Sequence, residues 1–363
     1  MNIDSIPPAI PSSLRPGRVV PRPGIPAPHR PGLPRTPLVT HTFTSIEALQ
    51  RALVRPNFEA FLLRPAPFRT TIVRAVPRPG LGASLGTSEA AIRSRGELDP
   101  DAVDVVVVVD APGRGFFNGI PLKAGSVVVL PGGIEFEGHA PQGFRWANLH
   151  LSSDDLRRAT RALTGRAIDL PTREALVRPT LPADTAALSA LHEAGGGTGG
   201  APSSETGEVT AESVVETWLG IAARALAGPG STDLAGARTP GDRHRVFLAA
   251  EAHMRAHLAE AVYTADLCQV SGVSERTLEY AFHEQLGLTP IAYLTKLRLN
   301  MARLSLVDAA AEGDAAVGPI ARGLGFQHLG RFAARYREQF GESPSETVRR
   351  HRPAGAASSP GAR

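Results

Sequence analysis

The sequence predicts an α+β protein, with a β-rich N-terminal domain followed by an all-α C-terminal domain that holds two helix-turn-helix units. Three observations carry this. Short β-branched or alternating runs, separated by turn residues, fill 40–151. The stretch Gly228 to Asp242 (GPGSTDLAGARTPGD) breaks the apolar pattern and has the composition of a linker. Beyond it, one helical pattern occurs twice.

In the β-rich part, Val103 to Val109 is a β-branched run that reads as a buried strand. Asn118-Gly119 lies between Phe116-Phe117 and Ile120-Pro121-Leu122, a hairpin signal, because both turn residues tolerate positive φ. Ser126 to Leu130 is a second strand, stopped by Pro131-Gly132-Gly133, and Phe144 to Leu151 alternates as a further one. Short strands with turns between them predict a small antiparallel barrel or sandwich. Residues 152–227 turn helical. Ser153-Asp154-Asp155 is placed to cap a helix running to about Leu163, and Val214, Val215, Trp218, Leu219, Ile221, Ala222 and Leu226 mark an amphipathic one. Between them, 195–208 is a Gly/Ser/Thr-rich loop. Residues 1–37, dense in Pro and Arg, read as a disordered arm, and 353–363 as a disordered tail. The expected units are therefore 38–227 and 243–352, joined by 228–242.

Composition sets outer bounds. A chain of 363 residues suits two or three domains at about 100–200 residues each. Its formal charge of +4 permits a nucleic-acid partner without requiring one. The single cysteine, Cys268, excludes an intrachain disulfide and speaks against a cysteine-based zinc site; packing suffices to account for it. No run approaches the roughly 18 apolar residues of a membrane helix. The opening MNIDSIPPAIPSS has no basic stretch before an apolar core, so the expectation is a cytoplasmic protein with no membrane partner.

The repeat is the most informative feature. Its first copy runs from Leu267 to Pro290 and its second from Ile320 to Pro344, and both contain Glu-Gln-apolar-Gly-x-(Ser/Thr)-Pro. In each, a short helix holding Leu267 and Val270, or Ile320 and Leu324, is ended by Gly272 or Gly325. Ser274 caps the next helix through its hydroxyl. Leu278 with Phe282, and Phe332 with Tyr336, bury one face at i, i+4. Gly287 or Gly341 stops that helix, and Thr289-Pro290 or Ser343-Pro344 starts another. Two short helices about a tight turn make a helix-turn-helix, whose second helix can enter the major groove. A helix from Pro290 to Val307, carrying Lys296, Arg298 and Arg303, connects the copies. It would span on the order of 27 Å, enough to hold two recognition helices about one DNA turn apart, roughly 34 Å.

These residues resemble the AraC/XylS family of bacterial regulators. The matching motifs are Ser-x-Arg-x-Leu-x-x-x-Phe at 274–282, Gly-Leu-Thr-Pro-x-x-Tyr-Leu at 287–294, Lys-Leu-Arg-Leu-Asn-x-Ala-Arg at 296–303 and Gly-Phe at 325–326. Arg331-Phe332 then leads through Tyr336 to Phe340-Gly341-Glu342-Ser343-Pro344. Leu-Gly-Arg-Phe at 329–332 is similar to a branch that includes ethanolamine-type and aromatic-degradation regulators; Gly330 and Ala334 stand where the family often has Ser and a basic residue.

With Leu278 and Phe282 inward, Arg276, Thr277, Tyr280 and His283 turn outward and Glu279 sits at the edge. The resemblance makes Arg276, Glu279 and Tyr280 base-facing. On the second unit the candidates are Arg331, then His328 and Arg335, while Lys296, Arg298 and Arg303 are candidates for phosphate. Residues 241–352 hold 14 Lys/Arg against 13 Asp/Glu, so the DNA-binding expectation rests on motif rather than net charge. The resemblance also implies a cupin-like, β-barrel sensor domain for a small-molecule effector of unknown identity. It further implies a homodimer joined through 152–227, and RNA polymerase as a partner of an activator that needs no cofactor. Phe116, Phe117, Phe136, Trp146 and His150 are candidates for lining an effector pocket, although core packing accounts for each equally well. The alternative is a cupin-type enzyme with an appended DNA-binding module. It would need clustered metal ligands, and His139, His150, Glu135 and Glu137 offer no His-x-His spacing. The expectation is therefore no metal and no enzyme.

Overall fold

The computed structural model describes residues 36–53, 57–65, 67–172, 175–180, 182–194, 210–228 and 242–353. Nearly all of the arm 1–37, the loop 195–208, the linker 228–242 and the tail 353–363 therefore lies outside the described residues.

The N-terminal domain contains strands β1 (Val39–Phe43), β2 (Glu59–Leu62), β3 (Thr70–Arg78), β4 (Leu81–Ser88), β5 (Ile92–Glu97) and β6 (Val103–Asp110). It continues with β7 (Gly115–Phe117), β8 (Ile120–Leu122), β9 (Ser126–Leu130), β10 (Glu135–Ala140), β11 (Phe144–Leu151) and β12 (Leu176–Pro179). They form two antiparallel sheets, a seven-stranded one in the order β1-β3-β4-β11-β6-β9-β12 and a five-stranded one in the order β2-β5-β10-β7-β8. Helices α1 (Ile46–Ala52), α2 (Ser153–Thr164), α3 (Pro182–Ala194) and α4 (Ala211–Ala227) complete the domain.

The valine run owes its two-sided hydrophobicity to its place in the middle of the larger sheet. Val103, Val105, Val107 and Val109 face a core shared with Leu156 of α2 and Val214, Trp218 and Ile221 of α4, while Val106 and Val108 face the second sheet. The Asn118-Gly119 hairpin joins β7 and β8, with φ of 44° and 73° at the two turn residues. The region 152–227 departs from its helical expectation in two respects. Leu176 to Pro179 is extended and pairs with β9, because the edge of the larger sheet would otherwise leave Val127 to Val129 unpaired on that side. The cap of α2 is Ser152 rather than Ser153, its hydroxyl accepting from the Asp155 amide at 3.1 Å. The candidate pocket residues Phe117, Phe136 and Trp146 are instead taken up in core packing. Phe117 stacks on Phe136 at 5.9 Å and Trp146 on Phe144 at 5.7 Å within the core between the sheets, and His150 turns to Asp104 at 3.2 Å.

The C-terminal domain is helical: α5 (Asp242–Ala256), α6 (Thr264–Ser271), α7 (Glu275–Leu286), α8 (Pro290–Glu312), α9 (Val317–Gly323), α10 (Leu329–Phe340) and α11 (Pro344–His351). Gly272, Gly287 and Gly341 adopt the expected left-handed stops. Ser274, Thr289 and Ser343 each accept a backbone N–H as caps. The connecting helix α8 runs on to Glu312 rather than stopping at Val307. Three alanines after Asp308 favour continuation, and Gly313, at φ 85°, supplies the stop. Leu278, Phe282 and Tyr336 are fully buried and Phe332 nearly so.

The two domains share a polar junction that periodicity does not foretell. Arg93 of β5 is ion-paired with Glu137 of β10 and with Glu251 of α5, and it donates to the Tyr293 hydroxyl of α8 at 3.1 Å. Tyr293 in turn donates to Glu251. Burial alone would raise the Glu251 carboxyl, but Arg93 and then Arg255 outweigh it and hold the group down at about 2. Leu62 of β2 has its N–H bonded to Asn300 at 3.0 Å, and its carbonyl accepts from Asn300 at 3.1 Å and from Gln339 at 2.8 Å. Phe61 and Leu63 enter the core built by Phe247, Phe282, Tyr293 and Leu297. The C-terminal domain therefore completes its core with residues from the N-terminal one.

The β7–β8 tip also docks there. At Gly119, φ is +73° and a Cβ would lie 2.4 Å from the His244 ring. Gly119→Ala is expected to lower stability by about 1–3 kcal/mol through strain at that φ, with the clash added. A chemical-denaturation midpoint equal to that of the wild type would show that the tip does not bear on His244.

Candidate nucleic-acid interface

The first candidate surface is the outer face of α7. Its inner face is committed to the core, where Phe282 meets Phe247 at 4.9 Å and Tyr293 at 5.7 Å between ring centres. That commitment leaves Arg276, Glu279, Tyr280 and His283 exposed and Thr277 partly so. Thr277 is tied into the cap, with its hydroxyl 3.1 Å from that of Ser274. Arg276 lies over the Tyr280 ring, 5.3 Å from its centre, and donates to the Tyr280 hydroxyl at 3.1 Å. This i, i+4 contact holds the guanidinium along the exposed helix surface, where an arginine can reach a guanine edge or a phosphate.

The second surface is the outer face of α10. Arg331 and Arg335 follow one another at i, i+4 and are exposed, and His328 occupies the N-cap without a side-chain cap bond. Phe332 and Tyr336 hold the opposite face, the Tyr336 hydroxyl lying 2.9 Å from that of Thr347. Burial pushes the Tyr336 phenol up to about 12, so it stays protonated.

The three basic residues of α8 are not on these faces, and this corrects their expected phosphate role. Lys296 donates to Gln339 at 2.6 Å, toward the junction at Leu62, and burial lowers its ammonium. Arg303 is buried between Glu47 of α1 and Glu342, the latter at 2.8 Å. Arg298 donates to the Glu260 carbonyl. It also lies across the turn before α10, where a Cβ on Gly325 (φ +80°) would meet its guanidinium carbon at 2.9 Å. Cys268 is partly buried beside the first core.

Sequence reasoning missed the junction residues Arg93, Glu137, Glu251, Tyr293 and Asn300. One signal was present. The repeated Glu-Gln pair places Gln285 and Gln339 at equivalent positions, and both are buried: Gln285 bonds His244 at 3.2 Å and Gln339 bonds Leu62. His139 and His150 lie on different sheets, and among the described residues no group of three His, Cys, Asp or Glu side chains is placed to hold a metal. Among the described residues no helix is long and apolar enough to cross a membrane.

Residues 267–350 match a family described as a helix-turn-helix domain. The chain is 40% identical over 99 residues to the probable thc operon regulatory protein of Rhodococcus erythropolis, covering 27% of this chain and 29% of that protein. It is 40% identical over 83 residues to the XylDLEGF operon transcriptional activator of Pseudomonas putida, covering 23% and 26%. It thus spans less than a third of the length of these curated relatives. Among solved structures, a probable AraC family transcriptional regulator from Rhodopseudomonas palustris is 33% identical over 30% of this chain and 98% of its own, with a TM-score of 0.28. Two helix-turn-helix units joined by α8 make residues 267–350 a helix-turn-helix domain similar to that of AraC/XylS-type transcriptional regulators.

Proposed function

We propose that the protein is a sequence-specific DNA-binding transcription regulator, an effector-responsive activator that sets α7 and α10 into two successive major grooves. The observation that carries this is duplication with a purpose. In each unit one helix face is buried on aromatic rings, while the opposite face presents polar side chains: Arg276, Glu279, Tyr280 and His283, with Thr277 at the cap, on α7, and His328, Arg331 and Arg335 on α10. The 23-residue α8 is about 34 Å long, close to one turn of B-DNA at roughly 34 Å. The finer parts of the proposal are an unidentified small-molecule effector held by the N-terminal domain, homodimerisation through the helices of 152–227, contact with RNA polymerase, and a cytoplasmic location. The rival reading, a cupin-type enzyme, has no observation in its favour.

Arg276 tests the proposal. A bidentate contact to guanine is worth roughly 1–3 kcal/mol of discrimination. In a randomised-duplex selection with the full chain, Arg276→Ala is expected to flatten preference at one or two base pairs and to leave non-specific binding little changed. A mutant that kept the whole wild-type preference would remove α7 as the reader.

A further inference from the structure

The outer face of α7 does not open onto bare solvent. It forms one wall of a cleft of about 660 Å³, lined by Arg276, Glu279, Tyr280 and His283 together with Arg243 of α5 and Arg114. Arg114 belongs to the N-terminal domain, on the connection between β6 and β7, and is exposed. Three observations fix its place beside the recognition helix. His139 of β10, paired in register with Phe116 of β7, lies against the backbone of both Arg114 and Gln285 of α7. The adjoining β7–β8 tip is seated on His244 through Gly119. Below it, Arg93, Glu137, Glu251 and Tyr293 bind the two domains through buried charge.

The cleft's two accessory cations differ. Arg243 is occupied by Glu284 at 2.7 Å, whereas among the described residues no carboxylate is ion-paired with Arg114. An unpaired guanidinium beside a helix that enters a groove about 12 Å wide meets the phosphate rows flanking that groove rather than the base edges at its floor.

We infer that Arg114 is a DNA-backbone contact supplied by the N-terminal domain alongside the first recognition helix, so that the DNA interface extends beyond the helix-turn-helix domain. The inference rests on the reading of α7 as a groove-entering helix and adds a contact outside it. Arg114 carries no base preference. It clamps the duplex flanking α7, and it ties DNA affinity to the docking of the two domains, since a domain that shifted would carry Arg114 away from the phosphate.

The test uses the full chain on a duplex that the wild type selects from a random library, titrated over a salt series. One phosphate contact contributes about 0.9 to the slope of log affinity against log salt. Arg114→Ala is expected to make that slope shallower by about 0.9 and to weaken binding about fivefold near 0.15 M salt, with base preference unchanged. Arg114→Lys keeps the charge and is expected to stay close to wild type. Unaltered affinity and slope in Arg114→Ala, or tighter binding through relief of an obstruction, would overturn the inference while leaving the DNA-binding reading intact. Failure of the wild type to select any duplex would bring down that reading and this contact with it.

Discussion

Replacing Arg93 by Ala is expected to destabilise the full chain by about 3–5 kcal/mol, the range for breaking a buried ion pair by removing one partner. The size follows from what is left behind. Arg93 is 3% exposed and faces Glu137 and Glu251, whose side chains are 12% and 3% exposed, so its loss strands two carboxylates with water largely excluded. Arg255 stays within 3.3 Å of Glu251, but it is shared with Glu59 and cannot reproduce the stack of Arg93 over Phe247. Urea unfolding followed by circular dichroism measures the loss; a change below about 1 kcal/mol, in the range of an exposed pair, would mean that the network does not hold the domains.

Acid should weaken the same junction in two stages. Burial and the neighbouring Arg93 lower His139 from 6.5 to about 4, so between those values the unfolded chain takes up a proton that the folded chain refuses, and stability falls as pH drops. Glu251, held at about 2, contributes stability that is complete above the ordinary glutamate value of about 4.3 and is lost as pH falls toward 2. Unfolding free energies that were flat from pH 7 to pH 3 would contradict both assignments.

Phe282→Ala should be comparably severe, about 3–5 kcal/mol for truncating a buried aromatic ring. Phe282 is fully buried between Phe247 and Tyr293. The cavity would open beneath the face that carries Arg276 and Tyr280, and beside Phe61 and Leu63 from the N-terminal domain. The substitution is therefore expected to lower the thermal midpoint and to weaken DNA binding together, whereas Arg276→Ala should affect DNA reading alone. An unchanged midpoint would refute the packing of α7 described above.

What the sequence by itself determined about this protein is the helix-turn-helix half and the strands with strong local signals. Glycine stops at 272, 287 and 341, hydroxyl caps at 274, 289 and 343, and aromatic pairs at i, i+4 act within a few residues of one another, so their spacing identifies helix, turn and inward face without any long-range information. The same spacing identifies the outward residues of α7 and α10. The valine run and the Asn-Gly turn are local in the same sense.

Only the tertiary structure decided which basic residues remain available. Lys296, Arg298 and Arg303 look like Arg276 in sequence, yet each is taken up by a side-chain or backbone acceptor, and Arg303 meets Glu47 across 256 positions. The junction joins Arg93 to Glu251 across 158 positions and Leu62 to Asn300 across 238. The short strand β12 inside an otherwise helical stretch was likewise settled by the vacant edge of β9. The physical reason is common to all of these. A periodic pattern reports which face of an element is apolar, whereas a buried charge or an edge strand takes its meaning from a partner that only the folded chain brings within reach.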